Sequence, residues 1–229
     1  MLGFTRQEKA YLAPFAGFLA LMLLGELVSK LFDGVAGPWW LAEPQYWVLP
    51  LQAVVCGILL ARGWRHYELR PIRGVAVACL VGIAVLLIWI APQLWFGVPP
   101  RLVGFDPTFF PENSWAYQLT LAFRFVRLVI VVPLLEEIFW RGFLLRHLIR
   151  EPFTEVPFGS FSWLSFSVVT LGFCLEHQPA DWVAAALAGA LYNLVAYRTR
   201  SLSACVIAHA VTNLLLGIYV MRTGQWGFW

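Results

Sequence analysis

Residues 131–150 read VVPLLEEIFWRGFLLRHLIR. The stretch lies inside an apolar run, yet it holds adjacent carboxylates at Glu136 and Glu137 and a guanidinium at Arg141. Charge at membrane depth costs at least a few kcal/mol per group, so it is normally paired or functional. On a helix, Glu137 and Arg141 are i,i+4 neighbours with the acid N-terminal, the favourable order. Glu136 is rotated by about 100° from Glu137. One carboxylate therefore has a built-in cation, and the other is free for chemistry. Helix glue is the plainer explanation for a lone membrane acid; an EExxxR cluster favours function.

The rest of the chain gives this stretch its setting. It has 229 residues, 60% of them hydrophobic and 13% charged, with a mean hydropathy of +0.72. A soluble domain has about 45–50% apolar and about 25% charged residues. The composition predicts an all-α, polytopic transmembrane helical bundle forming a single integral membrane domain over 1–229. The net charge of +3 is no nucleic-acid signature, because the basic residues fall in short loops. Cys56, Cys79, Cys174 and Cys205 sit in apolar segments without CxxC spacing, which excludes a thiolate metal motif and predicts packing roles. No small-residue cleavage site follows residues 1–10, so the first apolar segment reads as a retained span.

A span needs roughly 20 apolar residues. Seven segments qualify or nearly so: 11–31, 46–61, 74–96, 115–150, 161–177, 182–197 and 202–221. The fourth exceeds one crossing, and Pro133 removes a backbone donor and should kink it. Glu26, near the end of the first, reads as an interfacial acid paired with Lys30. The Gly/Pro-rich connections 33–44 and 97–113 read as loops within one domain. With the N-terminus cytoplasmic, ten basic residues from Arg6 to Arg200 fall in inner loops, against Lys30, Arg101 and Arg222 outside. That asymmetry predicts about seven spans with the N-terminus inside. Trp39, Trp40, Trp47 and Trp64 suit interfacial belts. In the sixth segment, Ala185 and Gly189 form a small face for close helix approach; Asn193 is expected to bond a neighbour, and the segment reads as packing.

Two more polar clusters follow. FCLEHQ places Phe173 and His177 at the end of the fifth segment, where a lone histidine is more often interfacial than catalytic. IAHAVTN places His209 and Asn213 one turn apart inside the seventh, where two polar groups on one buried face call for a shared partner. His66 and His147 lie among loop arginines and read as solvated.

EExxxR, FxxxH and HxxxN, in that order and each on its own apolar segment, resemble the CAAX prenyl endopeptidase and bacteriocin-processing (CPBP) family of intramembrane proteases. The nearest group is the bacterial CAAX prenyl protease-related proteins found beside exosortase sorting systems. The likeness spans about residues 117–222, including YRTRSL before the helix with His209; residues 1–116 match nothing specific. It implies a multi-pass protein of the bacterial inner membrane acting on a membrane-associated protein or peptide.

The chemistry can be built from the residues. A carboxylate in a low-dielectric cavity is a stronger base near neutral pH, so Glu136 is the candidate to activate water, with His177 holding it. His209 and Asn213 can donate to the developing oxyanion, worth roughly 3 kcal/mol each. Glu137 and Arg141 would support the helix and local charge, with Phe173 beside them. The resemblance implies the same roles and no cofactor. A zinc alternative uses Glu136, His177 and His209 as ligands, but HExxH is absent and three helices would have to converge; it ranks second. A transporter or non-catalytic scaffold could employ the same groups as a proton relay or glue, though no inverted repeat is present. One geometric difficulty stands. His177 lies near the outer end of the fifth segment, while His209 is only about 12 Å above the inner end of the seventh. Either the fifth segment does not cross fully or the sixth is strongly tilted.

Overall fold

The computed structural model describes residues 3–35 and 37–229. Met1, Leu2 and Ala36 lie outside it, so the readings of residues 1–10 and of the 33–44 connection are tested only around those positions. Every regular element among the described residues is helical. We number seven helices: α1 (Arg6–Leu31), α2 (Gln45–Gly63), α3 (Val75–Trp95), α4 (Trp115–His147), α5 (Trp163–Leu175), α6 (Trp182–Thr199) and α7 (Leu202–Thr223). They correspond one to one with the seven apolar segments. Five of them, α1 to α4 and α7, are long and apolar enough to cross a membrane.

The boundaries follow local chemistry. Thr5 and Glu8 close a capping box at the start of α1: Glu8 N–H donates to Thr5 Oγ1 (3.2 Å) and Thr5 N–H to Glu8 Oε2 (2.7 Å). Ser114 caps α4 and Ser162 caps α5 by accepting from the third residue on. Gly224 ends α7 at φ 65°, where a side chain would be strained.

Helix α5 answers the depth problem. Its thirteen residues extend about 20 Å at 1.5 Å each, short of the roughly 30 Å hydrocarbon layer. At that length its end can meet the middle of α7.

Helix α4 is the central element, packing against α1, α2, α5 and α7. Around it, α3 lies along α7 and α6, α1 along α2, and α5 along α6. Close approach is set by small residues. A Cβ on Gly82 of α3 would come within 2.6 Å of the Ala208 carbonyl of α7, and one on Gly189 of α6 within 3.3 Å of the Phe173 ring on α5. Where α2 ends, Gly63 leaves room for Tyr67, whose hydroxyl donates to the Ala10 carbonyl (2.9 Å). Burial pushes that phenol up to about 12, so it remains a donor.

Helix α4 is not uniformly α-helical. Two π-helical stretches, Arg127–Val131 and Ile138–Leu144, flank the turn Val132–Glu137 that carries the paired acids. Val132 N–H reaches back five residues to the Arg127 carbonyl, not four to Leu128. In that register the next N–H, at residue 133, would serve Leu128, and residue 133 is proline. The Leu128 carbonyl is thus left without a main-chain donor.

Several simpler expectations are corrected. Glu26 does not ion-pair with Lys30 among the described residues; it lines the mouth of an internal cavity. His147 is half-buried, stacked on Phe143 and bonded to Glu151 (3.2 Å), because it closes α4 instead of lying in open loop. His66 is exposed, as expected. The four cysteines are free thiols, three of them buried.

Candidate active site

A cavity of about 860 Å³ runs into the bundle from the end that holds the 33–44 and 97–113 connections. Glu136, His177, His209 and Asn213 all line it. Four residues singled out from three separate segments therefore share one space.

Each is held by a definable contact. Glu137 is fully buried; its Oε1 accepts from Arg141 Nη1 (3.0 Å) and is 3.0 Å from His209 Nδ1. Arg141 is the hub. Its Nε donates to Asn193 Oδ1 (3.0 Å) and its Nη2 to the Gly189 carbonyl (2.9 Å), while its face lies over Phe173 and Tyr192. The Asn193 amide in turn donates to Thr170 Oγ1 (3.1 Å), joining α4, α5 and α6. Phe173 packs edge-on to His209 and tilted against His177, forming a wall between them.

With the Glu137 carboxylate as acceptor, His209 carries its proton on Nδ1. Its ring stacks on Tyr192 (5.2 Å), whose hydroxyl donates to Thr212 and, through Thr212, to the Gly82 carbonyl of α3. His177 Nδ1–H donates to the Phe173 carbonyl (2.8 Å), and its ring rests against Trp89. Asn213 donates through Nδ2 to Leu128 O (2.9 Å), the carbonyl orphaned by Pro133. That contact fixes the orientation of the amide, because a carbonyl needs a donor.

Glu136 differs from its neighbour in lining the cavity and in having no ion-pair partner among the described residues, although Oε2 of both acids is unpartnered. It is 4% exposed, and its Oε2 has no protein partner among the described residues. Glu176 lies close enough to interact with it directly and accepts from Trp140 Nε1 (2.9 Å). Trp140 itself reaches across because residue 172 is glycine: a Cβ there would overlap the indole.

Sequence reasoning missed Glu176, Asn193 and Gln52. Glu176 sits beside His177 in FCLEHQ and was legible as a second acid in an apolar segment. Asn193 was noticed but assigned to packing. Gln52 belongs to α2, which carried no motif, and it accepts from Arg127 Nε (2.9 Å). Among the described residues, no three His, Cys, Asp or Glu side chains are grouped to hold a metal ion.

An all-helical integral membrane protein with a buried acid, two histidines and an amide around one cavity is the class defined by this fold and site. Residues 118–215 match the Rce1-like family, described as type II CAAX prenyl endopeptidase Rce1-like. The likeness read from the three motifs is thus found independently, over nearly the same range and over fewer than half of the residues. No curated protein and no solved structure matches the chain.

Proposed function

We propose that the protein is an intramembrane endopeptidase that hydrolyses a peptide bond in a membrane-associated protein or peptide. The observation that carries this is the free carboxylate oxygen of Glu136 in a cavity shared with His177, His209 and Asn213. The match to CAAX endopeptidases supports it.

In this reading Glu136 takes a proton from a water molecule held by His177. The hydroxide equivalent attacks the scissile carbonyl carbon. The oxyanion receives hydrogen bonds from the second Nδ2–H of Asn213 and from His209 Nε2. With Nδ1–H of His209 directed at the Glu137 carboxylate, donation from Nε2 as well requires a proton on both ring nitrogens. Collapse then breaks the C–N bond, and Glu136 returns its proton to the leaving amine. Glu176 is placed to share that proton.

The excess of basic residues in alternate loops favours a cytoplasmic N-terminus in this reading. The test is proteomics of a deletion strain to find an uncleaved membrane or exported protein, followed by cleavage of that protein by the purified enzyme. Glu136→Gln should lower the rate at least about 10²-fold, the usual contribution of a general base. Near wild-type cleavage by that variant would sink the mechanism.

A further inference from the structure

Glu176 closes α5. Its N–H donates to the Gly172 carbonyl (3.2 Å), which holds the residue at the cavity, and its Oε2 accepts from Trp140 Nε1 (2.9 Å). The indole passes over Gly172, where a Cβ would come within 2.8 Å of the ring. Glu176 also meets Glu136 of α4, and the two carboxyl groups lie within hydrogen-bonding reach of each other. Neither has an ion-pair partner among the described residues. Glu136 Oε2 is buried without a donor. The titratable and charged groups that face the pair are Glu137, Arg141 and Arg127 of α4, His177 after α5, Tyr192 of α6 and His209 of α7. Glu26 of α1 and Glu43, before α2, line the same cavity. Arg141 is committed to Glu137, and Arg127 gives its Nε to Gln52.

Two carboxyl groups in contact cannot both be ionised in a low-dielectric site unless a cation joins them. A negative charge at the C-terminal end of a helix is disfavoured as well. A carboxylic acid, unlike a carboxylate, is a donor, so one proton would satisfy both facing oxygens. We infer that Glu136 and Glu176 form a carboxyl pair holding a single proton between them, with Glu176 a positioning residue that acts through Glu136. Trp140 decides which oxygen is shared: Oε2 of Glu176 already accepts from the indole, which leaves Oε1 for the proton. This rests on the endopeptidase reading for its chemistry and extends it from one carboxyl group to two that titrate as a unit. In the resting pair one proton is bound. As the water oxygen bonds to the scissile carbon and the carbonyl π pair moves to oxygen, the water proton goes to Glu136 and the shared proton passes to Glu176. The pair then holds two protons and no charge. When the C–N bond breaks, its electron pair stays on nitrogen, the leaving amine takes one proton from Glu136, and the pair returns to one.

The first readout is spectroscopic, so that it does not depend on catalysis. Purified full-length protein in dodecyl maltoside, which has no carbonyl group, is examined by infrared spectroscopy at neutral pH in water and in deuterium oxide. Wild type should show a carboxylic-acid C=O stretch that shifts on deuteration. The band should vanish in Glu136→Gln and equally in Glu176→Gln, because a glutamine amide donates to the remaining carboxyl and favours its charged form. Trp140→Phe keeps both acids and should shift the band, because it removes the donor to Glu176. No exchangeable band in wild type would overturn the pair, and that measurement needs no variant. A band that survives either glutamine substitution would also overturn it, since the proton would then belong to one acid alone. The second readout is cleavage of the substrate found in the deletion strain. Glu176→Gln should lower kcat about 10²-fold, at the low end for acid–base groups, with KM little changed; an unchanged kcat would remove Glu176 from the mechanism. A shared-proton band in a wild-type chain that cleaves nothing would keep the pair and remove the endopeptidase reading. Cleavage that depends on Glu136 in a protein without the band would keep that reading and overturn the pair.

Discussion

At the residue scale, the arrangement turns on which carboxylate is already spoken for. Glu137 is clamped through Oε1 between Arg141 and His209, whereas Glu136, one position earlier, has no ion-pair partner among the described residues and lines the cavity; Oε2 of each acid is buried without a partner. Arg141→Ala would leave Glu137 buried beside a single histidine and would also free Asn193 and the Gly189 carbonyl. Breaking one partner of such a buried pair typically costs about 3–5 kcal/mol. A thermal-shift comparison in detergent should therefore show a large drop for Arg141→Ala and a smaller one for Glu136→Gln. Equal melting of Arg141→Ala and wild type would contradict the clamp. Asn213→Asp replaces the donor to the Leu128 carbonyl with an acceptor and removes a donor to the oxyanion. Turnover should fall about 10²–10³-fold, the range for losing one oxyanion donor; single-turnover kinetics would measure it.

At the element scale, the irregularity of α4 sets the position of its side chains. Pro133 and the π stretch before it leave the Leu128 carbonyl open, and Asn213 of α7 fills it. A kink at proline was expected; its consequence is a joint between two helices, and π turns of this kind are frequent at functional sites. Pro133→Ala supplies an N–H that can compete for the same carbonyl. Activity should drop while melting changes little, and rescue would not follow from any change at Asn213 alone. Gly82→Ala tests the other side of α7. Its methyl would collide with the Ala208 carbonyl and Val211 and push away the helix that carries His209. Overpacking of this kind costs about 1–3 kcal/mol, and both melting temperature and turnover should fall.

At the scale of the whole molecule, the cavity is built from both halves of the chain. Phe18, Gln52 and Trp89 come from α1, α2 and α3, outside the matched range 118–215. The connections that close one end are tied together: Tyr46 stacks on Phe109 and donates to the Asp106 carbonyl, and Arg101 pairs with Asp181. The proposed peptidase activity should survive exhaustive treatment with 1,10-phenanthroline, and metal analysis should find well below one zinc per chain. Loss of activity on chelation with recovery on adding zinc would instead make Glu136, His177 and His209 ligands.

The sequence by itself determined the helices and the polar positions within them. Apolar run length fixes where a helix can lie in a membrane, because unpaired backbone groups cannot be left in lipid. The seven segments are accordingly close to the seven helices, and a charge or imidazole in such a run is visible without coordinates. Spacing of four residues put Glu137 beside Arg141 and His209 beside Asn213, since those relations are internal to one helix. What lies between helices was decided only by the tertiary structure. The short α5 keeps His177 at the level of His209; Asn193 proves to be a partner of Arg141, not filler; Glu176 reaches Glu136; and Gln52 holds Arg127. These contacts depend on depth, rotation and crossing of separate helices, which are set by close packing at Gly82, Gly172 and Gly189. No periodicity within a single segment carries that information.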